Sequence, residues 1–120
     1  MDELSDDQRA RLRRRLDELA SELGQRLKDE QGLAATVTLD QSAVGRVSRV
    51  DALQQQAMAK ATLRRLATRL GRVQAAQERF DADPEAFGWC ADCEELIPWK
   101  RLLAAPDAVL CVACMEERGL

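Results

Sequence analysis

The stretch CADCEELIPWKRLLAAPDAVLCVAC, residues 90–114, holds every cysteine of the chain. Cys90 and Cys93 form one C-x2-C pair, and Cys111 and Cys114 form a second after seventeen intervening residues. Each pair can set two thiolates on one side of a tight turn, as two corners of a tetrahedron require. Zinc prefers four such soft ligands at about 2.3 Å. The chain has no histidine, so a zinc site here is all cysteine. A closed four-thiolate shell leaves no position for water or substrate, so one structural Zn2+ is expected. Three other uses of the pairs rank below it. Disulfides belong to secreted chains, and nothing else here looks secreted. A redox C-x-x-C sits in a βαβ pattern absent from this sequence. Iron in a four-thiolate site is the third.

The segment just before the pairs, DADPEAFGW (81–89), is punctuation. Asp83-Pro84 disfavours a continuing helix, and Gly88 supplies a turn before Cys90. Within the finger, Glu95–Ile97 and Arg101–Leu103 read as short strands with Pro98 near a bend, and Val112–Arg118 as one or two helical turns. Trp89, Ile97, Trp99, Leu102, Leu103 and Val109 make only a small core, so zinc binding is linked to folding.

Upstream the sequence is helical in character. Hydrophobic residues make up 46% but aromatics only 3%, a long-helix composition rather than a β-rich one. Ser5 can cap a first helix, with Asp6 and Asp7 in its first turn. Leu12, Leu16, Leu19, Leu23 and Leu27 then follow steps of 4, 3, 4 and 4. The charged residues around them read as a solvated helix face. Gly32 weakens this helix, and AATVTLD (34–40) reads as extended or irregular. Gly45 reads as a turn, and Ser48-Arg49-Val50-Asp51 fits a capping box opening a second helix near Asp51. That helix runs to Phe80, its stripe beginning at Leu53 and Ala57 and continuing through Leu63, Leu66, Leu70, Val73, Gln77 and Phe80. Thirty such residues span about 45 Å, too long for a small globular core to surround.

The two stripes mirror each other. Leu16 with Phe80, Leu23 with Val73, Leu27 with Leu70 and Leu33 with Leu63 all share an index sum of 96 or 97. The expected fold is mainly α: a long antiparallel coiled-coil hairpin over residues 1–80, its tip at about 40–52. Residues 81–120 form a small four-cysteine zinc-finger head. Gly24 and Gly71 fall near one level of the hairpin, either for close backbone approach or as tolerated helix glycines that each cost about 1 kcal/mol.

Net charge is −3, and the finger region carries 3 basic against 9 acidic groups, which argues against nucleic-acid binding by the finger. The middle segment, residues 34–80, carries 8 basic and 3 acidic groups. No apolar run approaches a membrane span, and the acidic start MDELSDDQ is no signal peptide, so a cytoplasmic protein is expected. Without a histidine, a phosphate loop or an open metal position, no enzyme is expected either.

The finger resembles that of the DksA/TraR family of bacterial transcription regulators. Phe87, Gly88 and Trp89 precede the first pair, Ile97 and Arg101-Leu102 follow it, and Pro106 precedes the second. Over residues 8–80 the resemblance is one of architecture. It implies a protein that binds RNA polymerase directly, carries its coiled-coil tip into the secondary channel and alters initiation. It implies no sequence-specific DNA binding; no membrane partner is expected either, since no apolar run is long enough to span one. The family's D-x-x-D-x-A tip falls on Ser48-Arg49-Val50-Asp51-Ala52-Leu53. Asp51 matches the second aspartate, Ser48 replaces the first, and Leu53 replaces the alanine. With Arg46 and Arg49 the tip is net positive, so Arg46, Ser48, Arg49, Asp51 and Ala52 are the expected partner-binding residues, Ser48 and Asp51 having helix capping as their plainer role. Some longer relatives respond to guanosine tetraphosphate through bases before the finger's proline and after its last cysteine. This chain has Ala105 and Met115 there, so weak or absent dependence is expected. A zinc-stabilised coiled-coil adaptor and a nucleic-acid-binding zinc ribbon are the alternative readings.

Overall fold

The structure, a computed structural model, describes residues 3–41 and 46–120, with side chains described for 3–33 and 49–120. Four helices follow in order: α1 (Asp6–Gln41), α2 (Arg46–Ala82), α3 (Trp99–Ala104) and α4 (Val112–Arg118). Among the described residues there is no strand, only one antiparallel bridge between Trp89 and Leu96. The mainly helical fold expected from the sequence is the fold observed. No helix is long and apolar enough to cross a membrane among the described residues.

The chain divides into two compact units, Met1–Ala20 with Arg72–Leu120, and Ser21–Gly71. In the first unit, α1 opens with a reciprocal cap. The Gln8 N–H donates to the Ser5 Oγ at 3.1 Å, and the Ser5 N–H donates to the Gln8 Oε1 at 2.9 Å. Two of the helix's orphan donors are thereby satisfied, and Asp6 and Asp7 lie favourably in the first turn. The start of α1 then packs antiparallel to the end of α2. Arg13 reaches Asp81 at 3.0 Å and the Gln77 carbonyl at 3.2 Å, and the Gln77 amide donates to Asp17 at 2.9 Å. Beneath these polar contacts Leu12, Leu16, Leu19, Val73, Ala76 and Phe80 are buried. Each large one contributes about 1.5–3 kcal/mol by leaving water. The finger adds Phe87, Ile97, Leu102 and Leu110, with Leu4 from the N-terminal segment. Phe80 and Phe87 meet edge to face, 5.2 Å between ring centres.

The second unit is built from Ser21–Gln41 of α1 and Arg46–Gly71 of α2. Leu23 and Leu66 are buried there, and Leu27, Leu63 and Leu70 are half-buried. Several expectations need correction here. The segment 34–40 is not extended: α1 continues through it to Gln41. Valine and threonine cost only a few tenths of a kcal/mol each in a helix, and extending an existing helix avoids a new nucleus. α2 begins at Arg46, not near Asp51, so Ser48 is its third residue rather than its cap. Leu33 does not enter the core, being 59% exposed. Leu53 and Ala57 are exposed as well. The inward line of α2 is instead Ala52, Gln56, Ala59, Leu63 and Leu66, in steps of 4, 3, 4 and 3. A Cβ placed at Gly24 or Gly71 would meet nothing within 4 Å, so no backbone approaches closely at either. The turn expected at Gly45 lies outside the described residues, as do the side chains of Arg46 and Ser48.

Candidate metal centre

The finger begins where α2 stops. Beyond Ala82 come Asp83 and Pro84, and the Asp83 Oδ1 and carbonyl accept the Ala86 N–H at 3.3 and 3.2 Å. Gly88 then takes a φ of +98°, and a Cβ there would lie 3.2 Å from the Leu4 side chain. Only glycine meets both demands, the positive φ and the closeness of Leu4. The turn it makes lets the Ile97 N–H donate to the Gly88 carbonyl at 2.8 Å and the Cys90 N–H to the Glu95 carbonyl at 2.8 Å. Between these bonds the chain forms a tight knuckle. The Glu94 N–H returns to the Cys90 carbonyl at 3.0 Å, with Glu94 itself left-handed at φ 60°. Cys90 and Cys93 sit on the two sides of that knuckle.

The second pair is placed by a helix. Cys111 is the N-cap of α4, and Cys114 lies in its first turn with its side chain buried. Arg101, on α3, fixes the approach to this helix. Its Nε donates to the Leu110 carbonyl at 3.0 Å, and its Nη2 contacts the Met115 sulfur at 2.6 Å. The expected strand over Arg101–Leu103 is therefore wrong: these residues form α3, which follows Pro98 directly. Proline is well suited to a helix start, where an N–H has no partner in any case. The strand expected at Glu95–Ile97 reduces to the single Trp89–Leu96 bridge. At the far end Arg118 grips Asp92 with its Nε, at 2.7 Å, and its Nη2, which ties α4 to the first knuckle. Asp92 raises the Arg118 pKa further by that hydrogen bonding.

These supports bring the four sulfurs of Cys90, Cys93, Cys111 and Cys114 within 4.8 Å of one another, Cys93 to Cys111 at 3.9 Å. Four thiolates around one zinc at about 2.3 Å would stand about 3.8 Å apart, so the donor set and its spacing fit that ion. The electrostatics point the same way. The Cys93 and Cys111 backbone N–H groups hold the Cys90 thiol down to about 6; the Cys111 N–H lies 3.4 Å from its sulfur. The Glu95 N–H favours the Cys93 thiolate, but the hydrogen-bonded Cys90 thiol and burial outweigh it and raise Cys93. Hydrogen bonding to Cys111, then burial, pushes Cys114 well up. Four thiolates cannot all ionise so close together without a cation among them. Zinc binding here displaces protons, and affinity falls as pH falls. With all four donors used, the zinc is structural.

The remaining expected site residues lie in the second unit. Arg49 and Asp51 are exposed, and Ala52 is half-buried on the inward line of α2. Sequence reasoning missed the Asp92–Arg118 clamp and gave Arg101 no role beyond its place in a motif. An acid two residues after the first cysteine and a base four after the last were the available signal.

Residues 85–118 match the model of the prokaryotic dksA/traR C4-type zinc finger. No curated protein matches the chain in sequence. Among solved structures, transcription factor DksA2 from Pseudomonas aeruginosa superposes with a TM-score of 0.80 at 24% identity, over 96% of this chain and 85% of that one. The four-cysteine segment is therefore a DksA/TraR-type zinc finger, carried on the fold of a DksA-type protein.

Proposed function

We propose that this chain is a transcription regulator that binds RNA polymerase directly, with the tip of its helical hairpin entering the secondary channel to modulate initiation. The observation that carries the reading is the pairing of a DksA/TraR-type finger with a DksA-type fold along nearly the whole chain. Cys90, Cys93, Cys111 and Cys114 hold one structural zinc that braces the base. Arg46, Ser48, Arg49, Asp51 and Ala52 form the part that meets the enzyme. Asp51 is exposed and is the sole acid between Arg46 and Gln77, so it can act by charge on basic channel loops or the catalytic metal. The protein works in the cytoplasm, as a regulator and not as an enzyme. Guanosine tetraphosphate has little or no part in it, because Ala105 and Met115 bring no positive charge.

The test is co-purification with RNA polymerase and transcription in vitro, repeated with Asp51→Ala and Asp51→Lys. Binding with an altered initiation rate is expected from the native chain, and a weakened effect from both variants. Failure of the native chain to bind polymerase would overturn the reading. Unchanged regulation by both variants would remove Asp51 from the mechanism.

A further inference from the structure

The second unit leaves one helix face uncovered. Val50 and Leu53 are 56% and 60% exposed, and Ala57 is exposed with them. At i, i+3 and i+7 they stack along one side of α2, about a third of a turn round from the inward line of Ala52, Gln56, Ala59 and Leu63. Arg49, Lys60 and Arg64 lie along the same side, all exposed, with no ion-pair partner among the described residues. No acid shares this face.

We infer that the Val50–Leu53–Ala57 face is a docking surface for a protein groove that is apolar at its floor and acidic along one rim. The spacing matches recognition of a helix through anchors at i, i+3 and i+7. The unpaired guanidiniums and ammonium beside it call for acidic side chains opposite. A second copy is a poor occupant, because two such faces would oppose positive charge to positive charge. A nucleic-acid backbone would engage Arg49, Lys60 and Arg64 yet leave Val50 and Leu53 in water. A lipid surface usually takes aromatic anchors, and this face has none. The inference rests on the polymerase reading and deepens it: the contact is made by the outward side of α2 below Asp51, through apolar burial as well as charge.

The experiment measures affinity for RNA polymerase holoenzyme, with the zinc-loaded full-length chain, for Val50→Gln/Leu53→Gln and for Lys60→Glu/Arg64→Glu. All four side chains are exposed, so helical content and zinc content should match the native chain. Affinity is expected to fall at least about tenfold for the first pair, equivalent to about 1.4 kcal/mol. The second pair should also bind more weakly, with a flatter dependence on salt. Native binding with unchanged affinity in the Val50/Leu53 variant overturns this inference and leaves the polymerase reading standing. Loss in that variant with no change in the charge-reversed one overturns the acidic rim. No binding by the native chain overturns both readings. Tighter binding of the native chain to phosphatidylserine vesicles or to a DNA duplex than to polymerase assigns the face to that ligand and overturns a protein partner.

Discussion

The finger unit and the hairpin unit are made of the same helices but held by different means. In the finger unit, buried apolar side chains come from the N-terminal segment, α1, α2 and the finger, and three polar devices lock its edges: the Ser5–Gln8 cap, the Arg13 network and the Arg118–Asp92 clamp. In the hairpin unit only Leu23 and Leu66 are buried among the described side chains, while Leu33, Val50, Leu53 and Met58 stand largely exposed. Two helices can bury one seam between them and no more. The finger end escapes that limit because zinc fixes a third layer against the helices. Packing is therefore denser at the finger end than in the hairpin, although the finger also exposes Trp89, Val109 and Val112.

Zinc removal is the harshest test of that contrast. Both tryptophans, Trp89 and Trp99, lie in the finger, so their fluorescence reports on it alone, while far-UV circular dichroism is dominated by α1 and α2. Purified protein should hold about one zinc per chain, against less than about half in Cys114→Ser, whose fourth ligand is gone. In that variant, or under a strong chelator, tryptophan emission should shift to the red while most of the helical signal persists. If both signals collapse together, the two units are one cooperative structure. If neither moves, zinc does not brace the finger.

Packing density gives the next test. Leu16 is fully buried in the finger unit, and Leu16→Ala should cost about 2–5 kcal/mol in urea denaturation. Leu33→Ala, at a position expected from the sequence to be equally buried, should change stability by no more than about 0.5 kcal/mol. Equal costs would mean that Leu33 is covered in solution. Arg13→Ala comes below Leu16→Ala. Its side chain is 32% exposed, so loss of the Asp81 contact should cost at most about 1 kcal/mol, with the coupling read from a double-mutant cycle with Asp81→Ala.

The same contrast explains what could be read from the sequence. The finger was legible because its rules are local and chemical: two C-x2-C pairs, a glycine that must turn, a proline that must end a helix. Its short elements were not, since Arg101–Leu103 can serve as strand or helix, and the start at Pro98 and the burial of Leu102 decide between them. In the hairpin the period was legible from Leu63 to Phe80. It fails toward the tip, where hydrophobicity is a poor guide to phase. Continuing the 3-and-4 steps backward from Leu63 reaches Ala59, Gln56 and Ala52, the residues that do face inward. Leu53 is more apolar than any of these and drew the stripe to the wrong face. A leucine out of phase with its own seam was a signal for a contact surface, not for a core.

The smallest effect concerns Gly24 and Gly71, both in the hairpin unit. A glycine inside a helix gives the unfolded chain extra freedom and adds no side chain to the folded one, a cost of about 1 kcal/mol relative to alanine. Neither glycine is excused by crowding, because an added Cβ meets nothing within 4 Å at either site. Gly24→Ala and Gly71→Ala should therefore each raise stability by about 0.4–1 kcal/mol, read from urea midpoints at unchanged slope. Destabilisation at either site would mean that the helices approach more closely there than the structure shows. Stabilisation at both would sharpen the comparison between the units. The loosely packed one would then be carrying avoidable helix-breaking residues, and its low stability would be a property of its sequence as well as of its two-helix geometry. If both alanines also weaken binding to polymerase, the looseness itself contributes to docking, because a stiffer hairpin adapts less readily to a groove.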